Sequence, residues 1–171
     1  MDKKLYEAIE EQINFELYSS YIYLSMSSHI AQENWKGFTN WFRIQYQEER
    51  AHAEVLFDFL IERGLKVNLK TIKEPKHSWD SLETMVEEVL SHEKEVTRRI
   101  NEIINIAQDC RDHTAYDLLL LFAKEQIEEE NSASDILTSV KRIGNDVSAL
   151  YLFDNQLAGR TFSFPFPSLE K

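Results

Sequence analysis

The sequence predicts an all-α protein, a four-helix bundle with one long crossover connection between the second and third helices and a short fifth C-terminal helix. Three observations predict this fold. Only 4 Gly and 3 Pro occur in 171 residues, so helix breakers are rare. Four long segments keep apolar residues at the three-and-four spacing of a bundle helix. Their connections are short, long and short, in that order.

Breakers and capping residues predict where the helices begin and end. Gly64 is a natural C-terminal stop for the second helix. Asp80 or Ser81 is suited to cap the third helix, and Asn145 or Asp146 the fifth. The expected spans are 4–33, then a turn at Asn34–Gly37 and a helix to Arg63, a third helix to about Cys110, a turn at Arg111–His113 and a helix to Gly144, and a fifth helix to Leu157.

The connection between the second and third helices decides the topology. Residues 65–80 have no helical period and contain Pro75. A link of this length can stretch to about 50 Å, whereas a helix of about 28 residues is about 42 Å long. The link can therefore return along the whole bundle, which predicts that the second and third helices run parallel.

Composition narrows the class of protein. A formal net charge of −11 and a pI near 4.9 argue against nucleic acid and anionic membranes as partners. No apolar run reaches 18 residues, the opening stretch has no signal-peptide core, and Cys110 is the single cysteine. We expect a cytoplasmic protein with one domain, a bundle over residues 1–157 followed by a tail over 158–171.

Four glutamates occupy positions that the helical period assigns to the core. Each lies near the middle of its own segment, and no Lys or Arg takes a matching mid-core position. A buried carboxylate is costly unless a positive or hydrogen-bonding group meets it. Four at one depth therefore indicate a shared cationic partner, most economically a pair of metal ions. The four residues are Glu16, Glu49, Glu93 and Glu129.

Glu49 and His52 form a Glu-x-x-His motif, which places both side chains on one helix face a turn apart. Carboxylate and imidazole together suit iron, manganese or zinc, and carboxylate-rich sets favour iron and manganese. The motif alone fits a surface ion pair better. Its coincidence with three further mid-core acids favours a metal centre.

A second acidic cluster lies beside these positions, and two interpretations stay open for it. Glu125 and Glu128 share a helix face that Glu129 borders, and Glu48 adjoins Glu49. The cluster is either a solvated acidic face or a more open cation site that shares Glu129. Tyr23 and the remaining histidines have separate interpretations. Tyr23 is either a core tyrosine or an electron donor beside the metals, and His29, His77, His92 and His113 are expected at the surface or at helix caps.

Four stretches of the chain follow one another in this order: NFELYSSYIYLSM, QEERAHAEVLFDFL, HEKEVTRRI and EQIEEE. In these stretches the chain resembles the non-haem ferritins of bacteria and archaea. Bacterioferritin-like relatives carry a second Glu-x-x-His motif, whereas here Ser132 stands three residues after Glu129. Arg50 also stands where bacterioferritins have a haem-ligating methionine, so no haem is expected. The tail, with Phe162, Phe164 and Phe166, is more aromatic than the family pattern and is expected either to dock on a neighbouring subunit or to lack order.

The resemblance implies a ferroxidase centre in each subunit and a site residue set. Glu16, Glu49 and His52 hold the first iron, Glu49 bridges to the second, and Glu93 and Glu129 hold the second with Gln126 close by. Glu48, Glu125 and Glu128, with Glu129, form a third iron site, and Tyr23 matches the tyrosine beside the centre.

The expected function is iron storage with oxidation of Fe(II) by O2 or H2O2 inside a homo-oligomeric shell of 24 subunits. Neither nucleic acid nor a membrane is expected as a partner. Two alternatives stay open: a non-catalytic shell or helical metal-binding protein, and a di-iron oxidase of an organic substrate.

Overall fold

A computed structural model describes residues 1–169, and five α-helices account for most of them. The predicted all-helical bundle with a fifth helix is confirmed. Among the described residues, no helix combines the length and apolar character needed to cross a membrane. The helices are α1 (Lys3–Gln32), α2 (Lys36–Glu62), α3 (Leu82–Asp109), α4 (His113–Ile143) and α5 (Val147–Leu157), with a 3₁₀ turn at Pro167–Leu169.

Side-chain caps begin most of the helices, because the first backbone N–H groups of a helix have no partner within it. Asp2 accepts from the backbone N–H of Lys4 at the start of α1. Ser81 and Thr84 form a reciprocal capping box at the start of α3. The Asp112 and Asp146 carboxylates cap α4 and α5 by accepting from backbone N–H groups in the first turn of each helix.

The long connection runs the length of the bundle beside α1. The Tyr6 hydroxyl donates to the Lys66 carbonyl near the start of α1. Further along, the Ser25 hydroxyl donates to the Lys76 carbonyl at 2.6 Å. The link therefore travels in the direction of α1 and delivers α3 to the end where α2 begins. This path makes α2 and α3 parallel, as predicted.

Two apolar clusters fill the core, one toward each end of the bundle. Leu5, Ile9, Leu60 and Ile100 belong to the first cluster. The second cluster surrounds Phe42 and includes residues near the start of α3 and the end of α4. Buried polar residues lie between the two clusters, where the four mid-core glutamates were predicted.

The turn predicted at Asn34–Gly37 is shorter in the structure, because Gly37 lies inside the first turn of α2. Asn34 ends α1 with a positive φ of 64°. Gly37 is needed for a different reason, since a Cβ at this position would overlap the backbone carbonyl of Asp154 in α5. The Phe38 N–H donates to the Asp154 carboxylate at 2.9 Å beside this contact. The glycine therefore lets α5 dock against α2.

Replacing Gly37 by alanine is expected to undock α5. The substitution Gly37→Ala forces the two backbones apart, and we expect the free energy of unfolding to fall by about 3 kcal/mol. Calorimetric melting and hydrogen exchange along α5 measure the effect. Gly159→Ala is the matched control, because its Cβ would meet nothing closer than 3.7 Å. Equal melting temperatures for the two variants would contradict the docking role of Gly37.

Candidate metal centre

The four predicted glutamates meet in the polar layer between the two apolar clusters, and this layer is called the waist. Each comes from a different helix of the bundle, and all four side chains are buried. His52 joins them from α2, one turn beyond Glu49. The helical period of the sequence therefore placed these residues at one depth, as expected.

Glu16, Glu49 and His52 come close enough to share one cation. One ligand atom from each lies within 4.8 Å of the other two. The Nδ1 atom of His52 lies 3.6 Å from the Oε2 atom of Glu49. Three buried atoms in this group have no hydrogen-bond partner among the described residues, namely Glu16 Oε2, Glu49 Oε2 and His52 Nε2. Buried polar atoms are rarely left unsatisfied, so their convergence indicates a ligand set for a cation.

Glu93 and Glu129 lie on the other side of this layer and are held by neutral donors. The Tyr23 hydroxyl and the Gln126 amide both donate to the Glu93 carboxylate, the amide at 3.1 Å. The Gln45 amide donates to Glu129 Oε2 at 2.8 Å. Such donors orient a carboxylate without neutralising it. The carboxyl groups of this half are therefore held in place without a charged partner from the chain.

Burial and mutual repulsion weaken the acidity of the waist. Burial raises the pKa of Glu93 to about 8, and the nearby carboxylates of Glu129 and Glu16 add to the rise. Burial also raises the pKa of Glu49 well above its usual range, with further contributions from Glu93 and Glu16. The pKa of the Tyr23 hydroxyl is raised well above its ordinary value by burial and by Glu93. Positive charge supplied here would reverse these shifts.

The second acidic cluster is only partly assembled in the structure. Burial raises the pKa of Glu48 to about 7, opposed by Arg160 and reinforced by Glu129 and Glu125. Burial, with repulsion from Glu129, also raises the pKa of Glu125 to about 7. Glu128 is exposed to solvent. Glu48, Glu125 and Glu129 thus act on one another electrostatically, and the exposed Glu128 also raises the pKa of Glu125 from the rim of the cluster.

Several residues that shape the centre were not predicted. Gln12 is buried and donates to Glu16 Oε1 at 2.8 Å. Gln45 donates to Glu129 in the corresponding way, and its position on the core face of α2 could have indicated this role from the sequence. Arg160 pairs with Glu48 from beyond α5, and no periodic pattern in the sequence indicates that contact. Contacts between distant segments require the tertiary fold.

The prediction that His92 lies at the surface or at a helix cap holds only in part, because the residue is half-buried. Its ring stacks on Phe15 with centroids 5.2 Å apart, and its Nε2 atom lies 2.7 Å from the Ser19 hydroxyl. Burial lowers the pKa of His92 to about 4, so the ring is neutral at pH 7. It also meets the Tyr23 ring edge-on. His92 is therefore part of the packing that holds Tyr23 in place.

The aromatic tail packs on its own bundle. Phe166 is buried, its ring 4.5 Å from that of Phe122 and 5.4 Å from that of His52. The expectation of docking on a neighbour or of disorder is wrong for this residue, because the ring fills the space between α2 and α4 beside the centre. Phe162 stays 40% exposed. Glu170 and Lys171 of the predicted tail lie outside the described residues.

The donor set favours particular metals. Four carboxylates and one imidazole are hard or borderline ligands, and no thiolate is present among the groups described above. Such sets suit iron and manganese more than zinc or copper. A carboxylate–histidine waist inside a four-helix bundle with one long crossover defines the chain as a protein of the ferritin-like class.

Comparison with known proteins agrees with this class. The family model "Ferritin-like domain" matches residues 6–143. The bacterial non-heme ferritin of Staphylococcus aureus is 33% identical over 162 residues, covering 95% of this chain and 98% of that protein. An Archaeoglobus fulgidus ferritin engineered to a closed form is 44% identical, with a TM-score of 0.93 and coverage of 95% and 99%. The open-pore ferritin of that archaeon is 43% identical, with a TM-score of 0.92 and coverage of 94% and 99%.

The chain belongs to the ferritin family, among the non-haem ferritins of bacteria and archaea. The resemblance noted in the sequence is thereby confirmed.

The raised pKa of Glu93 predicts that the metal-free protein loses stability as the pH rises. The carboxyl titrates near 8 when folded and near 4.5 ordinarily, so unfolding between those values releases a proton. This stability is full below pH 4.5 and is lost as the pH rises through 8, at up to about 1.4 kcal/mol per pH unit for one carboxyl. Melting of the chelator-treated protein across this range measures the decline.

Glu93→Gln should make that decline shallower, because the amide does not ionise. Glu102→Gln, an exposed acid on the same helix, is the control and should leave the pH dependence unchanged. A parent protein whose melting temperature stays level from pH 5 to 8.5 would contradict the assignment.

Phe166 is expected to contribute to stability more than its place near the chain end suggests. Phe166→Ala leaves a cavity against Phe122 and His52, and we expect a loss of about 3 kcal/mol in the free energy of unfolding. Phe162→Ala removes an exposed ring from the same segment and should have little effect. Calorimetric melting compares the two variants, and equal losses would show that Phe166 does not anchor the tail.

Proposed function

We propose that this chain is an iron-storage ferritin that oxidises Fe(II) to Fe(III) at a di-iron centre within each subunit. The observation that carries the proposal is the convergence of three unpartnered, buried ligand atoms from Glu16, Glu49 and His52. Membership in the ferritin family supports iron as the metal, and the sequence stretches that resemble the family contain these glutamates and His52.

The proposed ligand roles follow the two halves of the waist. Glu16 and His52 bind the first iron, and Glu93 and Glu129 bind the second. Glu49 bridges the two ions, the role that the family resemblance implies. In support, its carboxyl belongs to the close ligand group and interacts electrostatically with both Glu93 and Glu129. Gln126 belongs to the proposed metal site beside the second iron, and its amide donates to Glu93. The proposed third iron site comprises Glu48, Glu125, Glu128 and Glu129.

Iron is the substrate, and the protein supplies its position and the surrounding charge. Each Fe(II) gives up one electron, and O2 takes both electrons with two protons to form H2O2. With H2O2 as oxidant, the same two electrons and two protons give water. The carboxylates favour Fe(III) over Fe(II) because the higher charge gains more from negative ligands. Ferric ions then leave for the interior of the shell and mineralise.

Tyr23 has a proposed double role. Its hydroxyl donates to Glu93 and holds that ligand in place. Its ring packs against Trp41 and Phe42, with ring centroids 6.3 Å and 6.5 Å away, in an apolar environment. A tyrosine hydrogen-bonded to a ligand carboxylate can pass its proton to that carboxylate when it gives up an electron. Tyr23 is therefore the proposed auxiliary electron donor beside the irons.

Assembly into a hollow shell of 24 subunits is part of the proposal. The single subunit leaves Val147, Tyr151 and Leu152 of α5 largely exposed. An exposed apolar face on a short helix is typical of a surface that other copies cover. The ferritin structures compared above are matched along 99% of their chains, α5 included. A shell gives the ferric product an enclosed volume in which to mineralise.

Removing the bridging carboxylate is expected to stop rapid oxidation. When Fe(II) is added in air to the metal-free protein, Glu49→Gln should form ferric product at least about tenfold more slowly than the parent. Near-ultraviolet absorbance follows the reaction, and size-exclusion chromatography measures the iron-loaded particle.

Glu54→Gln is the matched control on the same helix, because Glu54 is exposed and pairs with Arg50 at the surface. It should oxidise iron at the parental rate. Parental oxidation by Glu49→Gln would place the centre elsewhere. An iron-loaded particle of one or two subunits would contradict the proposed 24-subunit shell. It would not bear on the oxidation of iron, which the rate measurement tests.

A further inference from the structure

Arg160 reaches the metal centre from outside the bundle. It follows α5, and its guanidinium returns to the middle of α2. One nitrogen, Nη2, donates to Glu48 Oε2 at 2.7 Å, and Nη1 donates to the amide oxygen of Gln45. The amide nitrogen of Gln45 in turn donates to Glu129. A single cation of the chain is thus bonded to one acid of the second cluster and, through Gln45, to another.

The position of Arg160 does not depend on the ion pair alone. The Asn40 amide donates to the Arg160 carbonyl at 2.9 Å and holds its backbone against α2. The guanidinium also lies over the Trp41 ring, 5.5 Å from its centroid. A planar guanidinium can stack on the ring and donate from two nitrogens at once, which a lysine ammonium cannot do. The chain therefore keeps a positive charge tethered at this end of the waist.

A metal ion that binds Glu48 in the second cluster would lie beside the guanidinium of Arg160, which already donates to one of the two carboxylate oxygens. The carboxylates of Glu48, Glu125 and Glu129 act on one another there, and Glu48 Oε2 already accepts from Arg160. Two cations on one carboxylate repel each other strongly at such short range. The guanidinium and a metal ion should therefore exclude each other at Glu48.

We propose that Arg160 is a tethered cation that competes with a metal ion for Glu48 and thereby sets how tightly the third ion is held. This inference rests on the third cation site of the proposed function. When an ion arrives, the guanidinium leaves Glu48 and its stacked position over Trp41 is disturbed. When the ion departs, Arg160 returns and neutralises the carboxylate. The third ion is then held weakly enough to move on, while the buried pair is unaffected.

Zn(II) binding measured by titration calorimetry on the assembled, metal-free protein tests the proposal, because Zn(II) does not undergo oxidation. We expect Arg160→Gln to bind the third Zn(II) per subunit at least about tenfold more tightly than the parent. The affinities of the first two ions should not change. Arg160→Lys, which keeps the charge without the planar fork, should fall between the two.

Arg63 provides a closely matched control. The Arg63–Asp112 pair has the same 2.7 Å distance and the same side-chain exposures, 28% and 11%, as the Arg160–Glu48 pair. It joins the end of α2 to the start of α4, away from the waist. Arg63→Gln therefore removes an equivalent ion pair and should leave all Zn(II) affinities at the parental values.

Tryptophan fluorescence of the unaltered protein gives a second measurement that does not depend on an Arg160 variant folding. Filling the third site with Zn(II) should change the tryptophan emission, because the guanidinium then moves away from the Trp41 ring. Trp41→Phe should abolish that change. An unchanged emission on filling the third site would overturn the proposal.

The calorimetric outcomes also separate the two proposals. Equal third-ion affinity in the parent and in Arg160→Gln, with two tight ions in both, overturns the role of Arg160 and leaves the proposed function standing. A parent that binds no ion at the buried centre overturns both.

Discussion

Burial of four carboxylates at one depth is the constraint on which the rest of this structure depends. An ionised carboxylate in an apolar core is costly, and four near one another add mutual repulsion. The raised pKa of Glu93, to about 8, expresses that cost in the metal-free protein. Two divalent cations would remove it, because they supply the positive charge that the protein itself does not place there. The centre is in this sense incomplete as a polypeptide, and metal binding completes it.

The surrounding residues keep that charge available instead of quenching it. Glutamines hold three of the acids, with Gln12 at Glu16, Gln45 at Glu129 and Gln126 at Glu93. A neutral amide fixes the direction of a carboxylate and leaves its charge for the metal. The fourth mid-core acid, Glu49, has no such amide donor among the hydrogen bonds described, and Glu48 of the second cluster is held by a guanidinium instead. In the proposed scheme, this difference in donor type distinguishes the two buried iron sites, three of whose acids have neutral donors, from the third site, where Arg160 competes with the metal ion for Glu48.

The bundle is built so that the polar waist does not weaken its ends. Separate apolar clusters lie on either side of the waist, around Leu60 and around Phe42. The long connection ties the two ends together along α1, and the capping residues satisfy the helix starts. The Phe166 ring of the tail packs beside His52 and covers the imidazole from that side. The burial of apolar side chains at both ends offsets the cost of the polar groups between them.

The sequence by itself determined the helices, their order and the depth of the four acids. These features are periodic or local: a three-and-four spacing names one face of each helix, and Gly64, Ser81 and Asp146 mark boundaries that depend on neighbouring residues only. Even the parallel run of α2 and α3 follows from the length of the link. The same spacing places Gln45 on the core face of α2, so its role beside Glu129 could have been predicted from the sequence.

Only the tertiary structure decided the contacts made across long sequence separations. Arg160 meets Glu48 at a separation of 112 residues, and Phe166 meets His52 from a tail that has no helical period. Gly37 looks like a turn residue until α5 docks on it, and His92 looks like a surface residue until Phe15 and Tyr23 enclose it. No local pattern encodes these contacts, because each depends on where two packed elements bring their side chains together.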